Sequence, residues 1–333
     1  MKKNILFILS LFVLLTGCVR EDEFDNSPRG NFEALWRIID EHYCFLDYKQ
    51  VNWNAVRAQY ETYVTPGLSN DKLFQILGNM LAELKDGHVN LYAYHNTARY
   101  WNWFEDYPRN YSEELVENYL GHEYRIGGGL RYCILEDNIG YVSYTSFSAG
   151  IGNSVLSEMF RYLDICNGII IDVRNNGGGE LTNASRFAGR FTNDKVLVGY
   201  MCHKTGKGHS DFSTPEPIYV EPSDGVRWQK PVVVLANRHS YSATNDFVNS
   251  MRYMPKVTIM GDQTGGGSGM PFTSELPNGW GVRFSACPTY DAEMNQIEFG
   301  IEPDIAVALS AEDQAQGIDT IIEAARVYLN KKP

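Results

Sequence analysis

The chain has 333 residues, of which 44% are hydrophobic and 21% are charged, and these values exclude a disordered or fibrous polymer. A folded chain of this length buries about 75% of the surface that it exposes when unfolded, so its core needs neither disulfides nor metal ions. The sequence has 29 Lys and Arg and 41 Asp and Glu, so the net charge is −12. This charge and the absence of a long basic run argue against a surface that binds nucleic acid or an anionic membrane.

The N-terminus has the pattern of a signal peptide. Lys2 and Lys3 form a short basic segment, and residues 5–15 are an apolar run that is too short for a stable membrane span. The run ends in Leu-Thr-Gly-Cys, which resembles the lipobox of bacterial lipoproteins, and Cys18 would then carry the lipid and become the mature N-terminus. The alternative is an ordinary secretory signal that happens to precede a cysteine.

Residues 1–18 are therefore predicted to be a lipoprotein signal peptide, and residues 19–30 an acidic tether. Together they predict a cell-envelope lipoprotein that is anchored through Cys18 to the outer membrane, on its periplasmic or its outer face. The other cysteines are five in number and show no C-x-x-C spacing, so we expect small core residues, at most two disulfides, and no zinc site. These cysteines are Cys44, Cys133, Cys166, Cys202 and Cys287.

Residues 31–88 are predicted to form a subdomain of three helices. Apolar residues recur at helical spacing throughout the segment, and the third helix begins at an N-cap supplied by Ser69 or Asn70. Residues 89–125 are aromatic and irregular, and their pattern gives no assignment.

Residues 126–330 alternate between strands and helices, which is the pattern of an α/β domain. Strands are predicted at 130–135, 139–144, 168–173, 196–202, 231–236, 257–260 and 281–285. Helices are predicted near 152–166, 180–192, 243–254 and 316–330.

A serine stands where the buried strand 231–236 passes into the helix near 243–254. Ser242 would lie in the positive field of that helix, beside the amide of Ala243, which is the environment that a nucleophile attacking an acyl carbon requires. The structural alternative is that Ser242 merely caps the helix.

Three further segments could supply the rest of an acyl-transfer site. Asp172 and Arg174 lead from a buried strand into a loop of three glycines, whose amides can approach a ligand closely, although the same pair could simply stabilise a turn. His88 follows a helix end and is a residue type suited to general-base chemistry near neutral pH. Glu298 lies in an acidic segment and could orient such a base, or could be solvated.

The order and wording of these segments resemble one superfamily of serine peptidases, which includes the C-terminal processing peptidases, the tricorn protease core and the interphotoreceptor retinoid-binding proteins. The motifs that carry the resemblance are L-x-D-G-H at 84–88, I-G-Y-V-x-Y-x-x-F at 139–147, I-I-D-V-R-N-N-G-G-G at 170–179, P-V-V-V-L-A-N-R-x-S-x-S-A at 231–243, I-M-G-D-Q-T-G-G at 259–266 and E-F-G-I-E-P-D-I at 298–305. The resemblance implies a crotonase-like ββα-spiral core over residues 126–330, with the three-helix subdomain packed on it. It also implies peptide-bond hydrolysis through an acyl-enzyme, with peptides or unfolded proteins as substrates and without a cofactor or metal.

In this resemblance the nucleophile falls on Ser242, and Ser240 is the weaker candidate because Tyr241 follows it. The processing peptidases use a lysine base twenty-five residues beyond the serine, but that offset lands on Gly267, and no lysine lies between Lys256 and Lys331. The resemblance is therefore to the tricorn-like branch, which uses a histidine base.

The base of that branch falls on His88 and its distant glutamate on Glu298, whereas Gly87 occupies the place of its helper serine. Asp86 or Glu298 is expected to hold the imidazole instead. Asn245 stands where many relatives have glutamate. The resemblance places the oxyanion donors on the amides of Ala243 and Gly178, with Gly177 as the alternative.

Only 50 residues separate His88 from Ile139, too few for the peptide-binding PDZ module that many relatives insert there, so we expect that module to be absent. Two alternatives to a peptidase stay open. One is a catalytically silent binding lipoprotein that holds a peptide or an apolar ligand, and the other is an envelope protein that holds a glycan on its many Tyr and Trp residues.

Overall fold

The computed structural model describes residues 24–331, so the predicted signal peptide and Cys18 lie outside the described residues. The described part begins with three helices: α1 (Pro28–His42), α2 (Trp53–Glu61) and α3 (Asn70–Ala82). Helix α3 starts at Ser69, whose hydroxyl accepts the backbone N–H of Lys72. The predicted N-terminal helical region is confirmed.

The aromatic segment that the sequence left unassigned is a mixture of short elements. They are β1 (Asn90–Ala93), β2 (Asn96–Arg99), α4 (Asn102–Glu105), α5 (Glu113–Leu120) and β3 (Arg125–Gly127). Ser112 caps α5 by accepting the backbone N–H of Leu115.

The rest of the chain alternates strands and helices as predicted. The strands are β4 (Leu130–Ile134), β5 (Ile139–Tyr144), β6 (Gly168–Asp172), β7 (Val196–Met201), β8 (Glu216–Val220), β9 (Val232–Ala236), β10 (Val257–Gly261), β11 (Met270–Glu275), β12 (Gly281–Cys287), β13 (Thr289–Asp291) and β14 (Ile305–Ala306). The helices are α6 (Asn153–Leu163), α7 (Leu181–Ala188), α8 (Ala243–Arg252), α9 (Ala311–Ala315) and α10 (Thr320–Asn330). The α/β class is confirmed.

The largest sheet among the described residues has seven strands in the order β14-β10-β9-β6-β5-β4-β3. Strands β5, β6, β9, β10 and β14 run parallel, and Ile170 of β6 pairs with Val233 of β9. Strands β6 and β9 are buried along their whole length, in keeping with the apolar residues 169–171 of β6 and 232–236 of β9. Because these two neighbours are parallel, the loops that follow them leave the sheet at the same edge.

A second sheet, of order β11-β12-β1-β2, pairs the segment that follows the N-terminal helices with strands from residues 270–287. Strand β1 pairs antiparallel with β12, with Leu91 opposite Val282. One hydrophobic cluster accordingly holds residues of all three N-terminal helices together with residues 276–287. This pairing draws the end of α3, where His88 follows, against the late part of the chain. A third sheet, of order β13-β7-β8, lies beside the large one.

The five described cysteines are all buried and none forms a disulfide. In the described part of the chain, no helix is both long and apolar enough to cross a membrane.

Candidate active site

Ser242 lies at the N-cap position of α8, but its side chain does not cap the helix. Its backbone has φ 58° and ψ −127°, a region that glycine adopts far more readily than serine. The hydroxyl lies instead 2.9 Å from Nε2 of His88. The capping alternative therefore does not describe this side chain, and residues 154 positions apart in the chain meet at hydrogen-bond distance.

The loop that carries Ser242 is held by backbone hydrogen bonds from its neighbours. The amide of Tyr241 donates to the carbonyl of Asn176 at 3.1 Å, and the amide of Ser242 donates to the carbonyl of Gly266 at 2.9 Å. These bonds tie together the loops after β6, β9 and β10. The ends of these parallel strands meet at Ser242, and the hydrogen bonds between their loops hold its strained backbone in place.

His88 is positioned by the turn that precedes it and by one aromatic ring. Its backbone N–H donates to Oδ1 of Asp86 at 2.8 Å, which closes an Asx-type turn after α3. Its imidazole is 4% exposed and lies 4.9 Å from the ring centroid of Tyr241. The other ring nitrogen, Nδ1, is buried, and the imidazole lies within hydrogen-bond reach of the backbone of Gly269.

The pKa of His88 is lowered to about 4. Burial is the largest cause, and the positive charges of Arg283 and Lys49 act in the same direction, while the negative charge of Asp86 opposes them. The imidazole is therefore neutral near pH 7, and a neutral Nε2 can accept the proton of the Ser242 hydroxyl.

Behind His88 lies a buried charge cluster of Lys49, Asp86 and Glu298, which we call the buried triad. The Lys49 ammonium lies 2.8 Å from Oε1 of Glu298 and 3.4 Å from Oδ2 of Asp86. All three side chains are almost fully buried. The triad joins the N-terminal helical region to the segment that contains Glu298.

Hydroxyl and amide donors complete the hydrogen bonds of the two carboxylates. Asp86 accepts the hydroxyls of Tyr43 at 2.8 Å and Ser285 at 3.0 Å, and Glu298 accepts the amide of Ser268 at 2.9 Å. These hydrogen bonds, together with the ion pairs to Lys49, offset the free-energy cost of burying the two carboxylates.

One cation shared by two carboxylates leaves this cluster with an excess negative charge. Burial would raise the pKa of Asp86, but Lys49 and the donated hydrogen bonds outweigh it and lower that pKa. The pKa of Glu298 is raised to about 7, first by burial and then by the charge of Asp86, which Lys49 only partly offsets. The pKa of Lys49 is raised, because both carboxylates outweigh the effect of burial. Of the two carboxylates, Glu298 is therefore the one whose charged form is less well stabilised.

The structure does not bring Asp86 or Glu298 into hydrogen-bond contact with the imidazole, which was the expected arrangement. Asp86 holds the backbone of His88, and Glu298 holds Lys49 and the loop at Ser268. Asp86 therefore acts on the position of His88 through the backbone of His88 itself, and Glu298 acts through Lys49 and the loop at Ser268.

Gly87 stands where the helper serine was expected, and its surroundings explain the substitution. A Cβ atom at Gly87 would lie 2.5 Å from Nε1 of Trp103 and 2.9 Å from the hydroxyl of Tyr241. Trp103 stacks on Tyr241 with ring centroids 3.9 Å apart. The aromatic segment thus fills the space that a serine side chain at this position would need.

The predicted oxyanion donors lie beside Ser242. Ala243 opens α8, so its amide has no acceptor within the helix. Gly178 has φ 99°, and a Cβ atom there would lie 2.8 Å from the Cβ of Ser242. The amide of Gly178, however, donates to Oδ1 of Asn176 at 3.0 Å. Gly177 is exposed in the same loop.

Asp172 and Arg174 form a buried ion pair, as the stabilised-turn interpretation proposed. Arg174 Nη2 lies 2.7 Å from Oδ2 of Asp172, and its Nη1 lies 3.0 Å from Oδ2 of Asp319. Asp319 also caps α10 by accepting the amides of Ile321 and Ile322. The pair therefore fixes the glycine loop to the last helix, and neither side chain is exposed.

Ser240, the weaker candidate nucleophile, is fully buried. Its hydroxyl donates to the carbonyl of Val173 at 2.8 Å and accepts the amide of Asn237 at 3.1 Å. Asn245 is also buried, where its amide group donates to the carbonyl of Ile297 at 3.1 Å and its carbonyl accepts the hydroxyl of Thr264 at 2.6 Å.

Three important residues were not found by sequence reasoning. Lys49 lies in a loop between helices, Trp103 in the unassigned aromatic segment, and Asp246 one turn beyond Ser242 in α8. The spacing of Asp246 from Ser242 was a usable signal, because residues four apart share a helix face. Nothing near Lys49 in the sequence indicates burial. Within residues 24–331, no cluster of His, Cys, Asp or Glu could hold a metal ion.

Comparisons with known proteins place this chain in a family. The model of Peptidase family S41 matches residues 138–307, and the model of the Tricorn protease C1 domain matches residues 24–82. The chain belongs to Peptidase family S41. This assignment confirms the resemblance to processing peptidases and tricorn.

Individual relatives of this S41 chain agree with that assignment. It is 55% identical to a candidate peptidase of Parabacteroides merdae ATCC 43184, over 93% of this chain and 98% of that one, with a TM-score of 0.89. It is 24% identical over 170 residues to the carboxyl-terminal-processing peptidase 2, chloroplastic, of Arabidopsis thaliana, covering 50% of this chain and 31% of that protein. The chain thus spans about a third of that curated relative.

The fold extends to more distant structures. Mature CPAF complexed with lactacystin is 11% identical, with a TM-score of 0.69 over 91% of this chain and 97% of that one. At this identity the likeness shows the fold alone.

Proposed function

We propose that this chain is a serine peptidase that hydrolyses peptide bonds through an acyl-enzyme, with Ser242 as nucleophile and His88 as general base. One observation carries the proposal: the Ser242 hydroxyl lies 2.9 Å from Nε2 of a histidine that is neutral near pH 7. Membership of a peptidase family supports peptides or unfolded proteins as substrates.

In the first half of the reaction, Nε2 of His88 takes the proton of Ser242 as the serine oxygen attacks the scissile carbonyl. The amide of Ala243 donates to the resulting oxyanion at the positive end of α8. Protonated His88 then gives its proton to the leaving amine, and the carbon–nitrogen bond breaks. Gly178 is a second donor only if its amide leaves Asn176, and Gly177 is the alternative in that loop.

In the second half, a water molecule attacks the acyl carbon. His88 takes a proton from the water and returns it to the serine oxygen, which releases the new carboxylic acid and restores the enzyme. The buried triad has a positioning role in both halves, because Asp86 fixes the turn that carries His88 and Glu298 fixes the loop at Ser268.

Envelope attachment through Cys18 is part of the proposal. Its support is the basic segment, the apolar run and the lipobox-like ending of residues 1–18. Radiolabelled palmitate incorporation into the full-length protein, compared with a Cys18→Ala variant, tests this part separately from hydrolysis.

The nucleophile is tested by Ser242→Ala. This variant should lose peptide hydrolysis by a factor of about 10⁴ or more, and should lose covalent labelling by a serine-directed phosphonate, because it removes the hydroxyl that lies 2.9 Å from the base. Mass spectrometry of the labelled protein and turnover of a mixed peptide library provide the measurements.

The matched control is Ser240→Ala. It removes a buried hydroxyl that bonds only to the protein, so it should lower the melting temperature yet leave phosphonate labelling in place. Labelling that survives in Ser242→Ala but disappears in Ser240→Ala would assign the nucleophile to Ser240. A wild-type protein that is neither labelled nor active on the library would favour the silent binding protein.

A further inference from the structure

Two cavities meet beside Ser242. The first, which we call the catalytic cavity, has a volume of about 230 Å³, and its lining includes His88, Ser242 and Arg283. The second, which we call the side cavity, has a volume of about 190 Å³. Leu181, Met201, Asp246 and Thr289 line both cavities. The side cavity therefore adjoins the catalytic cavity that contains Ser242.

The walls of the side cavity differ in polarity. One wall comes from α7, β7 and β8 and is apolar, with Leu181, Ala184, Val198, Met201, Ile218 and Val220. The polar part of the lining comes from α8, where Asp246, Asn249 and Ser250 lie three and four residues apart on one face of the helix. Such a cavity suits a side chain with a long apolar stem and a polar end.

Asp246 is the one carboxylate in the lining of the side cavity, and the described residues give it no partner. Its backbone amide donates to the carbonyl of Ser242 at 3.1 Å, which sets it one helical turn beyond the nucleophile. Within residues 24–331, its side chain forms no hydrogen bond and no ion pair. A partly buried carboxylate that has no cationic partner is suited to form an ion pair with a positively charged group of the substrate.

The charged groups around Asp246 support this reading. Burial, and after it the negative charge of Glu298, raise the pKa of Asp246 to about 7. Glu180 adds a second acid to the catalytic cavity, whereas Arg283 lies on the His88 side, where its charge lowers the pKa of that imidazole. The lining of the catalytic cavity thus includes two carboxylates, those of Asp246 and Glu180, and one guanidinium, that of Arg283.

We propose that the side cavity receives the side chain of the substrate residue whose carbonyl is attacked, and that Asp246 selects a lysine or arginine there. The proposal rests on the proposed peptidase function. The methylene stem would cover the apolar wall, and the ammonium or guanidinium group would pair with the Asp246 carboxylate along the polar face of α8. Arg283 would repel the same side chain at the other end of the catalytic cavity.

The test compares peptides that differ only in the residue before the scissile bond: lysine against norleucine, which lacks the amine, and arginine against citrulline, which lacks the charge. At pH 8, kcat/KM of the wild-type protein should be about tenfold higher for each charged member, since a charge-assisted pair is worth roughly one tenfold step or more. In Asp246→Asn both ratios should fall towards one. Glu312→Gln is the control, because Glu312 is an exposed carboxylate of α9 that lines neither cavity, and in it the ratios should stay high.

The pH dependence gives a second measurement that needs no variant. The lysine-to-norleucine ratio should rise as the pH passes through about 7, because Asp246 then becomes charged. Titration of His88 acts on both peptides alike and cancels in the ratio, whereas the charge of Glu298 acts on the ratio through the pKa of Asp246. Equal cleavage of all four peptides by the wild type, or a ratio that Asp246→Asn leaves unchanged, would overturn the selection by Asp246 while leaving the peptidase function intact. A wild-type protein that cleaves none of them would overturn both.

Discussion

Ser242 shows how a site can hold a residue in a conformation that is unfavourable for it. Its φ of 58° and ψ of −127° cost a residue with a Cβ about 1–3 kcal/mol. The hydrogen bonds from Ser242 to Gly266 and from Tyr241 to Asn176 hold the backbone there. The benefit is that the hydroxyl leaves the helix end and reaches His88.

This strain predicts an ordering of two inactive variants. Ser242→Ala and Ser242→Gly both lose the hydroxyl, but only glycine relieves the backbone, so Ser242→Gly should be more stable by about 1 kcal/mol after its greater unfolded-state entropy is subtracted. Urea unfolding at pH 7 measures the difference. An alanine variant as stable as the glycine variant, or more so, would show that the backbone at Ser242 is not strained.

Arg174 joins β6, which leads into the glycine loop, to α10, the last helix. Its guanidinium lies between Asp172 at the end of β6 and Asp319 at the start of α10, and none of the three side chains is exposed. Tyr141 donates to the same Asp172 oxygen that Arg174 Nη2 contacts. The position of the glycine loop therefore depends on the last helix.

Replacing Arg174 by methionine should be strongly destabilising, because two buried carboxylates lose their cation. We expect a loss of about 3–5 kcal/mol in the free energy of unfolding. Arg326→Met is the matched control in α10, because its pairs with Asp137 and Glu323 are partly exposed and should be worth less than about 1 kcal/mol. Denaturant unfolding of both variants decides the matter, and equal losses would contradict the structural role given to Arg174.

The helices and strands were largely predictable because each has a strong local pattern. The apolar runs of β6 and β9 and the helical spacing of α3 determine those elements without any knowledge of their partners. Ser242 and His88 were found from local motifs, with the help of a family resemblance.

Contacts between distant segments could not be predicted from local sequence patterns. The pairing of β1 with β12 and the burial of Lys49 depend on which elements meet, and no local pattern records that. For the same reason Glu298 was expected to orient the imidazole, whereas it contacts Lys49.

The buried triad links parts of the chain that are far apart in sequence, so its electrostatics should affect the stability of the whole fold. The folded-state pKa of Glu298, about 7, lies above its ordinary value of 4.5. Stability from this group is therefore complete at acid pH and is lost as the pH rises through 7. Glu298→Gln has no such titration, so its free energy of unfolding, relative to wild type, should rise by about 2 kcal/mol between pH 5 and pH 8.

Urea unfolding of wild type and variant across that pH range gives the measurement. Glu302→Gln is the control, because Glu302 lies exposed four residues further along the same segment, and its difference from wild type should stay constant with pH. The titration of Asp246 has the same sign, and because the charge of Glu298 raises the pKa of Asp246, Glu298→Gln also weakens that titration and changes the difference in the same direction. If the difference between wild type and Glu298→Gln stayed constant or fell as the pH rose, Lys49 would have to compensate Glu298 fully, and the excess negative charge assigned to the triad would be wrong.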